Sequence, residues 1–219
     1  RPELMGTALQ SLQIHEYMQK AECAVQEIIF TKDGQYHVEV NREGEACLLV
    51  LYEFIEGSEP GDVDVERVGA LIGRLHQVMK GYPEPLKMQD KHFFIDRHVK
   101  ILTEKNHPLA GEYRELGERL WEKVRNLPRG YCHGDLYRGN IFKDRTGKLY
   151  VLDFDTSCDA FPMYDITLFC NETDYFNYSD EGFEKSQVWL RRFTEGYSQY
   201  GTLSREEIRA FYVLHAVYH

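Results

Sequence analysis

Tyr131-Cys-His-Gly-Asp-Leu-Tyr-Arg-Gly-Asn-Ile-Phe142 and, shortly after it, Leu149-Tyr-Val-Leu-Asp-Phe-Asp155 decide how this sequence is read. The first stretch holds a short polar loop containing Gly139, flanked by Asp135 and Asn140. The second is an apolar run that ends on Asp153. Thr146-Gly-Lys148 lies between them as a turn, so about Asn140–Lys143 and Leu149–Leu152 are predicted to be the two strands of a hairpin. A tight turn of this kind sets Asp153 across from Asn140. Oxygen side chains without sulfur or many imidazoles suit Mg²⁺, a hard cation that keeps waters and takes substrate phosphates as ligands. A further carboxylate nearby is able to orient a hydroxyl for attack. Those are the parts that phosphoryl transfer requires.

Working outward, the segments around this hairpin predict helices. Val65, Val68, Leu71, Ile72, Leu75, Val78 and Met79 recur at helical spacing within Asp62–Lys80. Tyr113, Leu116, Leu120 and Val124 mark another helix, stopping before Pro128. Ser204-Arg-Glu-Glu207 is a capping box that opens the last one. Toward the N-terminus a helix is predicted over Glu3 to Lys20, followed by strands. Val25–Thr31 and Tyr36–Val40 flank Lys32-Asp-Gly-Gln35, which carries an Asp-Gly hairpin pair. Arg42-Glu-Gly-Glu45 is a second turn, and Ala46–Tyr52 is apolar enough to be expected as a strand buried on both faces. Glu56-Gly-Ser-Glu-Pro-Gly61 is the strongest punctuation in the chain. It predicts a joint between a small β-rich lobe, residues 1–57, and a larger helical lobe, residues 58–219.

Composition narrows the class. The 219 residues are 42% apolar, enough for a sizeable core. With 26 basic against 36 acidic residues the net charge is −10, which argues against a non-specific nucleic-acid binder and tolerates a cationic small molecule. The longest apolar run, Ala46–Tyr52, is far too short to span a bilayer. The opening residues hold no signal-peptide core, and the odd number of cysteines, five, includes no Cys-x-x-Cys pair. Free thiols in a reducing cytoplasm are therefore expected. Neither end reads as a domain edge, so the sequence is expected to belong to a longer chain.

The sequence resembles the aminoglycoside phosphotransferase and choline kinase family, distant relatives of protein kinases. The resemblance lies in H-G-D-x-x-x-x-N from His133 to Asn140 and the hydrophobic-Asp-Phe-Asp at 152–155. Leu51-Tyr-Glu-Phe-Ile-Glu-Gly57 looks like the family's hinge, Leu71-Ile-Gly-Arg-Leu-His76 like the helix after it, and Tyr164-Asp-Ile166 like the segment beyond the metal site. The fold this implies is α+β and kinase-like, two-lobed, with an incomplete N-lobe. The implied activity is ATP- and Mg²⁺-dependent transfer of a γ-phosphoryl group to a small-molecule hydroxyl. By this resemblance Asp135 accepts or orients the hydroxyl proton, and Asn140 and Asp153 hold Mg²⁺. The hinge residues Glu53, Phe54 and Ile55 offer backbone groups to the nucleotide base, while Phe142 and Leu152 are placed to floor its slot. His133 is expected to pack behind the metal strand. Asp155 is either structural or an occasional metal residue, and Asp165 is a helix cap or a partner of the catalytic loop.

The sequence also departs from that pattern. No G-x-G-x-x-G occurs and no lysine precedes Lys20, so the family's phosphate-covering loop and strand lysine are not in it. The position of the glutamate that pairs that lysine falls on Gln10 or Ser11. A catalytically inactive kinase-like binding module is thus one alternative, and a metal-dependent phosphohydrolase using His133, Asp135, Asp153 and Asp155 is another. The acceptor side is expected in Asn171–Glu181, where four carboxylates interleave with three aromatics, a composition able to attract an ammonium group.

Overall fold

The computed structural model describes residues 2–42, 44–174 and 176–218. Helices dominate after residue 60, and the strands are short. In order they are α1 (Pro2–Lys20), β1 (Val38–Arg42), β2 (Glu45–Leu49), β3 (Gly57–Ser58), α2 (Val65–Met79), α3 (Arg97–Glu104), α4 (Ala110–Val124), β4 (Gly130–Cys132), β5 (Ile141–Asp144), β6 (Leu149–Val151), β7 (Cys158–Ala160), α5 (Pro162–Cys170), α6 (Asp180–Tyr197) and α7 (Arg205–Tyr218). This is the expected α+β chain. None of the described helices is long and apolar enough to cross a membrane.

The core forms where α2 meets α6. Val65, Val68, Ile72 and Leu75 repeat every three or four residues, and all four are buried. Two helices can approach this closely only if side chains are missing at the contact. Gly69 of α2 faces the Phe193 carbonyl, and Gly196 of α6 faces the Glu66 carbonyl. A methyl group at either position would overlap backbone atoms of the other helix, which have nowhere to move. Gly196→Ala is expected to destabilise the fold by about 1–3 kcal/mol through overpacking. A thermal melt indistinguishable from wild type would contradict this close contact.

Three small sheets surround the helical core. β5 and β6 form the predicted hairpin, with Ile141 opposite Val151 and Phe142 opposite Tyr150. β3 adds to the outer edge of β5. The turn closes because Asp144 Oδ1 accepts from the Thr146 and Lys148 amides, both at 2.9 Å. Asp64, buried just after the joint, secures this hairpin from below. It accepts from Lys143 Nζ at 2.5 Å, the Gly61 amide at 3.0 Å and Arg67 at 3.0 Å. Burial pushes its carboxyl pKa up, but the Lys143 bond and the other donors outweigh this and leave it below the usual value. β4 and β7 pair antiparallel beside the loop that begins at His133. The capping box of α7 is formed as predicted, with Glu207 N donating to Ser204 Oγ at 3.1 Å and Ser204 N to Glu207 Oε2 at 2.8 Å. All five cysteines are free thiols, and burial pushes Cys158 up to about 12.

Two expectations for the N-terminal segment are corrected. Val25–Thr31 does not pair with Tyr36–Val40. It runs beside the hinge instead, with Ile28 bridging Tyr52 and the Ile29 amide donating to Leu51 O at 2.8 Å. A second bridge joins Val25 to Val151, which ties this segment to the β5–β6 hairpin. β1 pairs with β2 instead, from Val38 opposite Leu49 to Arg42 opposite Glu45. Glu43, in the second predicted turn, lies outside the described residues. Ala46–Tyr52 is also not buried on both faces. Its strand ends at Leu49, and Leu49 and Leu51 are 57% and 62% exposed. The reason is geometric: β1 and β2 form a two-stranded sheet approached by α1, so one face of an apolar run lies open among the described residues.

Candidate active site

The loop from His133 to Asn140 is held from three directions. Asp165, at the first turn of α5 and fully buried, accepts from the His133 amide at 2.6 Å and the Gly134 amide at 2.9 Å. Its Oδ2 also accepts from His76 Nε2 at 3.0 Å. His76 Nδ1 is then left to accept from the Tyr197 hydroxyl, 3.0 Å away. Asp165 is thus the loop partner that the sequence allowed for, and His76 is a packed helix residue with both ring nitrogens used. From below, His133 Nε2 donates to Leu152 O at 2.7 Å, and its ring lies 5.4 Å from that of Phe154. His133 is therefore structural, locking the loop to the end of the hairpin. Gly134 sits at φ +84°, and a side chain there would strike the Thr156 carbonyl. Glycine is needed on both counts.

Asn140 is buried and bridges back across the loop. Its Nδ2 donates to the Asp135 carbonyl at 2.8 Å and more weakly to Asp135 Oδ2 at 3.3 Å. This fixes the amide orientation, and Oδ1 makes no hydrogen bond among the described residues. The Leu152 amide donates to Asn140 O at 2.9 Å, so Asp153 follows directly on the strand that pairs with Asn140. Asp153 has φ +58°, a left-handed conformation that Asp tolerates better than most residues. Among the described residues its exposed carboxylate accepts only from the Asp155 amide, at 3.3 Å. One amide oxygen and one carboxylate thus remain uncommitted, both hard donors. That donor set fits a cation such as Mg²⁺. Asp135 and Asp155 are also exposed.

The remaining predicted residues lie on two surfaces near this loop. Ile141 and Val151 point into the core, so strand alternation puts Phe142, Tyr150 and then Leu152 on the other face, each half-buried. The hinge is extended and unevenly committed. The Glu53 amide donates to Glu27 O at 2.8 Å, and Glu53 O accepts from Gln26 Nε2 at 2.9 Å. The backbone groups of Phe54 and Ile55 make no hydrogen bond among the described residues, and the Phe54 side chain is 85% exposed.

Asn171–Glu181 differs from the ammonium-attracting loop the composition suggested. Glu172 is neutralised by Arg138 and Lys185, each at 2.6 Å. Asp174 accepts from the Phe176 and Asn177 amides at 2.8 and 2.6 Å. Asp180 and Glu181 lie in the first turn of α6, where they complement the helix dipole. Tyr175 is outside the described residues. Nothing in the order of residues announces the Arg138–Glu172 pair, beyond the position of Arg138 between Asp135 and Asn140.

Residues 3–210 match the model of the phosphotransferase enzyme family. The chain belongs to that family. A homoserine kinase of Methylobacillus flagellatus is 28% identical over 148 residues, covering 66% of this chain and 44% of the relative. A homoserine kinase of Neisseria meningitidis serogroup B is 24% identical over 203 residues, covering 90% and 63%. The chain spans about half the length of the curated relatives it matches. Among solved structures, a microcompartment-associated aminopropanol kinase superposes with a TM-score of 0.70 at 16% identity, over 99% of this chain and 72% of the other. An amicoumacin kinase, solved with AMP-PNP and Ca²⁺, gives 0.69 at 20% identity, over 96% and 69%. These family structures share the fold of the chain.

Proposed function

We propose that this phosphotransferase-family chain carries the catalytic lobe of an ATP- and Mg²⁺-dependent enzyme that phosphorylates a hydroxyl group of a small molecule. The reading rests on one observation above all: Asp135, Asn140 and the strand end bearing Asp153 are linked by hydrogen bonds, with Asp135 and Asp153 exposed and Asn140 Oδ1 without a partner among the described residues. Asp135 takes the acceptor proton as the oxygen–phosphorus bond forms and the bond to the leaving diphosphate breaks. Asn140 and Asp153 are the residues that would hold Mg²⁺, which supplies charge neutralisation between the phosphates when bound. Phe142 and Leu152 face the nucleotide base, and Phe54 or Ile55 meets it through the backbone, since the Glu53 groups already have partners. The two lobes divide at residue 57, and the nucleotide lies between them. The names of the relatives favour an acceptor with an amine near its hydroxyl, such as an amino alcohol or a hydroxy amino acid.

The test is a screen of amino alcohols, hydroxy amino acids, aminoglycosides and sugars for Mg²⁺-dependent ATP consumption by the full-length protein. Activity on none of them would contradict the reading. A second expectation concerns the metal alone. Asp153→Asn should weaken Mg·nucleotide binding at least about 10-fold, because even residues that only support metal ligands cost 10–100-fold. Calorimetry on a folded variant checks it, and unchanged affinity would remove Asp153 from the metal site.

A further inference from the structure

Arg138 lies inside the catalytic loop, three residues after Asp135 and two before Asn140, yet neither the base nor the metal role needs it. Its surroundings are nevertheless tightly specified. Nη2 donates to both oxygens of Glu172, at 2.6 and 2.7 Å. The guanidinium carbon lies 4.5 Å from the ring centroid of Trp189, a buried residue of α6. Glu172 is itself nearly buried, with a side-chain exposure of 8%. Its amide donates to the buried Ser186 Oγ at 2.8 Å, which fixes Glu172 against α6. Lys185 approaches the same carboxylate at 2.6 Å and stands 3.6 Å from Asp62, just beyond the joint. The hydrogen bond to Glu172 holds the Lys185 ammonium above the ordinary lysine range.

We propose that Arg138 is a positioning residue: it clamps the middle of the catalytic loop to Glu172 and Trp189, and so fixes the hydrogen-bonded Asp135–Asn140 frame against α6. Asp165 secures only the loop's start, through the His133 and Gly134 amides. The 138–140 turn has its own backbone bonds, from the Asn140 amide to Tyr137 O at 3.0 Å and from the Ile141 amide to Arg138 O, and the Leu152 amide ties Asn140 O to the hairpin at 2.9 Å. Those bonds frame the loop internally and on the hairpin, and the Arg138 side chain ties that frame to Glu172 and to α6. Arginine suits this task because its planar guanidinium packs on the indole while Nη2 reaches both carboxylate oxygens. Lys185 also bonds Glu172 and lies 5.3 Å from the Trp189 centroid, but it is a point charge without that planar fork. The same clamp couples the loop to the segment after α5. This inference rests on the proposed roles of Asp135 and Asn140.

Hydrogen exchange on Arg138→Met tests the clamp without any substrate. Exchange of peptides covering 135–141 should rise about 10-fold or more, while those covering α2 and α7 stay unchanged. In the full-length enzyme, turnover should fall about 10–100-fold with the KM for Mg·ATP within about threefold, as expected when reacting groups are misplaced by about an ångström. Glu172→Gln should cost a similar factor, and the double variant little more than either alone. Arg138→Lys should stay impaired, and guanidinium added in the millimolar range should partly restore Arg138→Ala. Loop exchange equal to wild type, or turnover within threefold of it, would overturn the proposal. A wild-type protein that transfers no phosphoryl group would instead sink the functional reading, and the exchange experiment would still decide the clamp.

Discussion

Asp135→Asn is expected to lower turnover about 10²–10⁴-fold, the usual span for a positioned acid or base. Its carboxylate is exposed and takes only a weak bond from Asn140 Nδ2, so the asparagine fits without repacking. The loop stays in place because Asn140 is held mainly by the Asp135 carbonyl, which the substitution does not touch. Nucleotide affinity should therefore change little, and the loss should fall on the chemical step. Single-turnover rates of full-length enzyme with an acceptor that wild type phosphorylates, set beside Mg·ATP affinity, make the distinction. A variant within a few-fold of wild type would remove Asp135 from the mechanism. One that loses Mg²⁺ affinity first would make it a metal ligand.

Asp165→Ala should have the largest effect on stability. Three donors converge on this fully buried carboxylate, two of them backbone amides of the catalytic loop. Removing it strands all three, at about 1–3 kcal/mol for each buried unsatisfied group. Breaking a buried charged network typically costs about 3–5 kcal/mol in total. For a chain of this size that corresponds to roughly 10 °C or more in the melting temperature. Calorimetry of the purified variant reads it directly. A melt within about 2 °C of wild type would mean that the His133 and Gly134 amides find other partners.

Why some of this was legible from sequence and some was not is a matter of range. Asp135, Asn140 and Asp153 lie within 19 residues of one another, joined by a hairpin whose turn chemistry is written in Asp144–Lys148. Local geometry alone gathers them. Helix α2 was equally readable, since its apolar spacing is a property of one segment. The Arg138–Glu172 pair spans 34 residues, and no periodicity connects them. The composition of 171–181 suggested an attractive acidic surface, but composition cannot show that Glu172 and Asp174 already have donors. Ala46–Tyr52 failed for a related reason. An apolar run says what a strand can bury, not how many neighbours arrive to cover it.

The glycine contact between α2 and α6 also bears on how the chain is made. Gly69 and Phe193 touch across more than half of the sequence. Closing so long a loop is entropically costly, and contacts of this range form late. During synthesis the whole proposed site, from Asp135 to Asp153, leaves the ribosome before α6 exists. Until residue 197 has emerged, α2 lacks the helix it packs against most, and Arg138 lacks the tryptophan it stacks on. A nascent chain stopped before α6 would contain every residue of the proposed chemistry with its loop not yet tied to α6. Such a chain would expose the apolar face of α2 to chaperones and to other copies of itself.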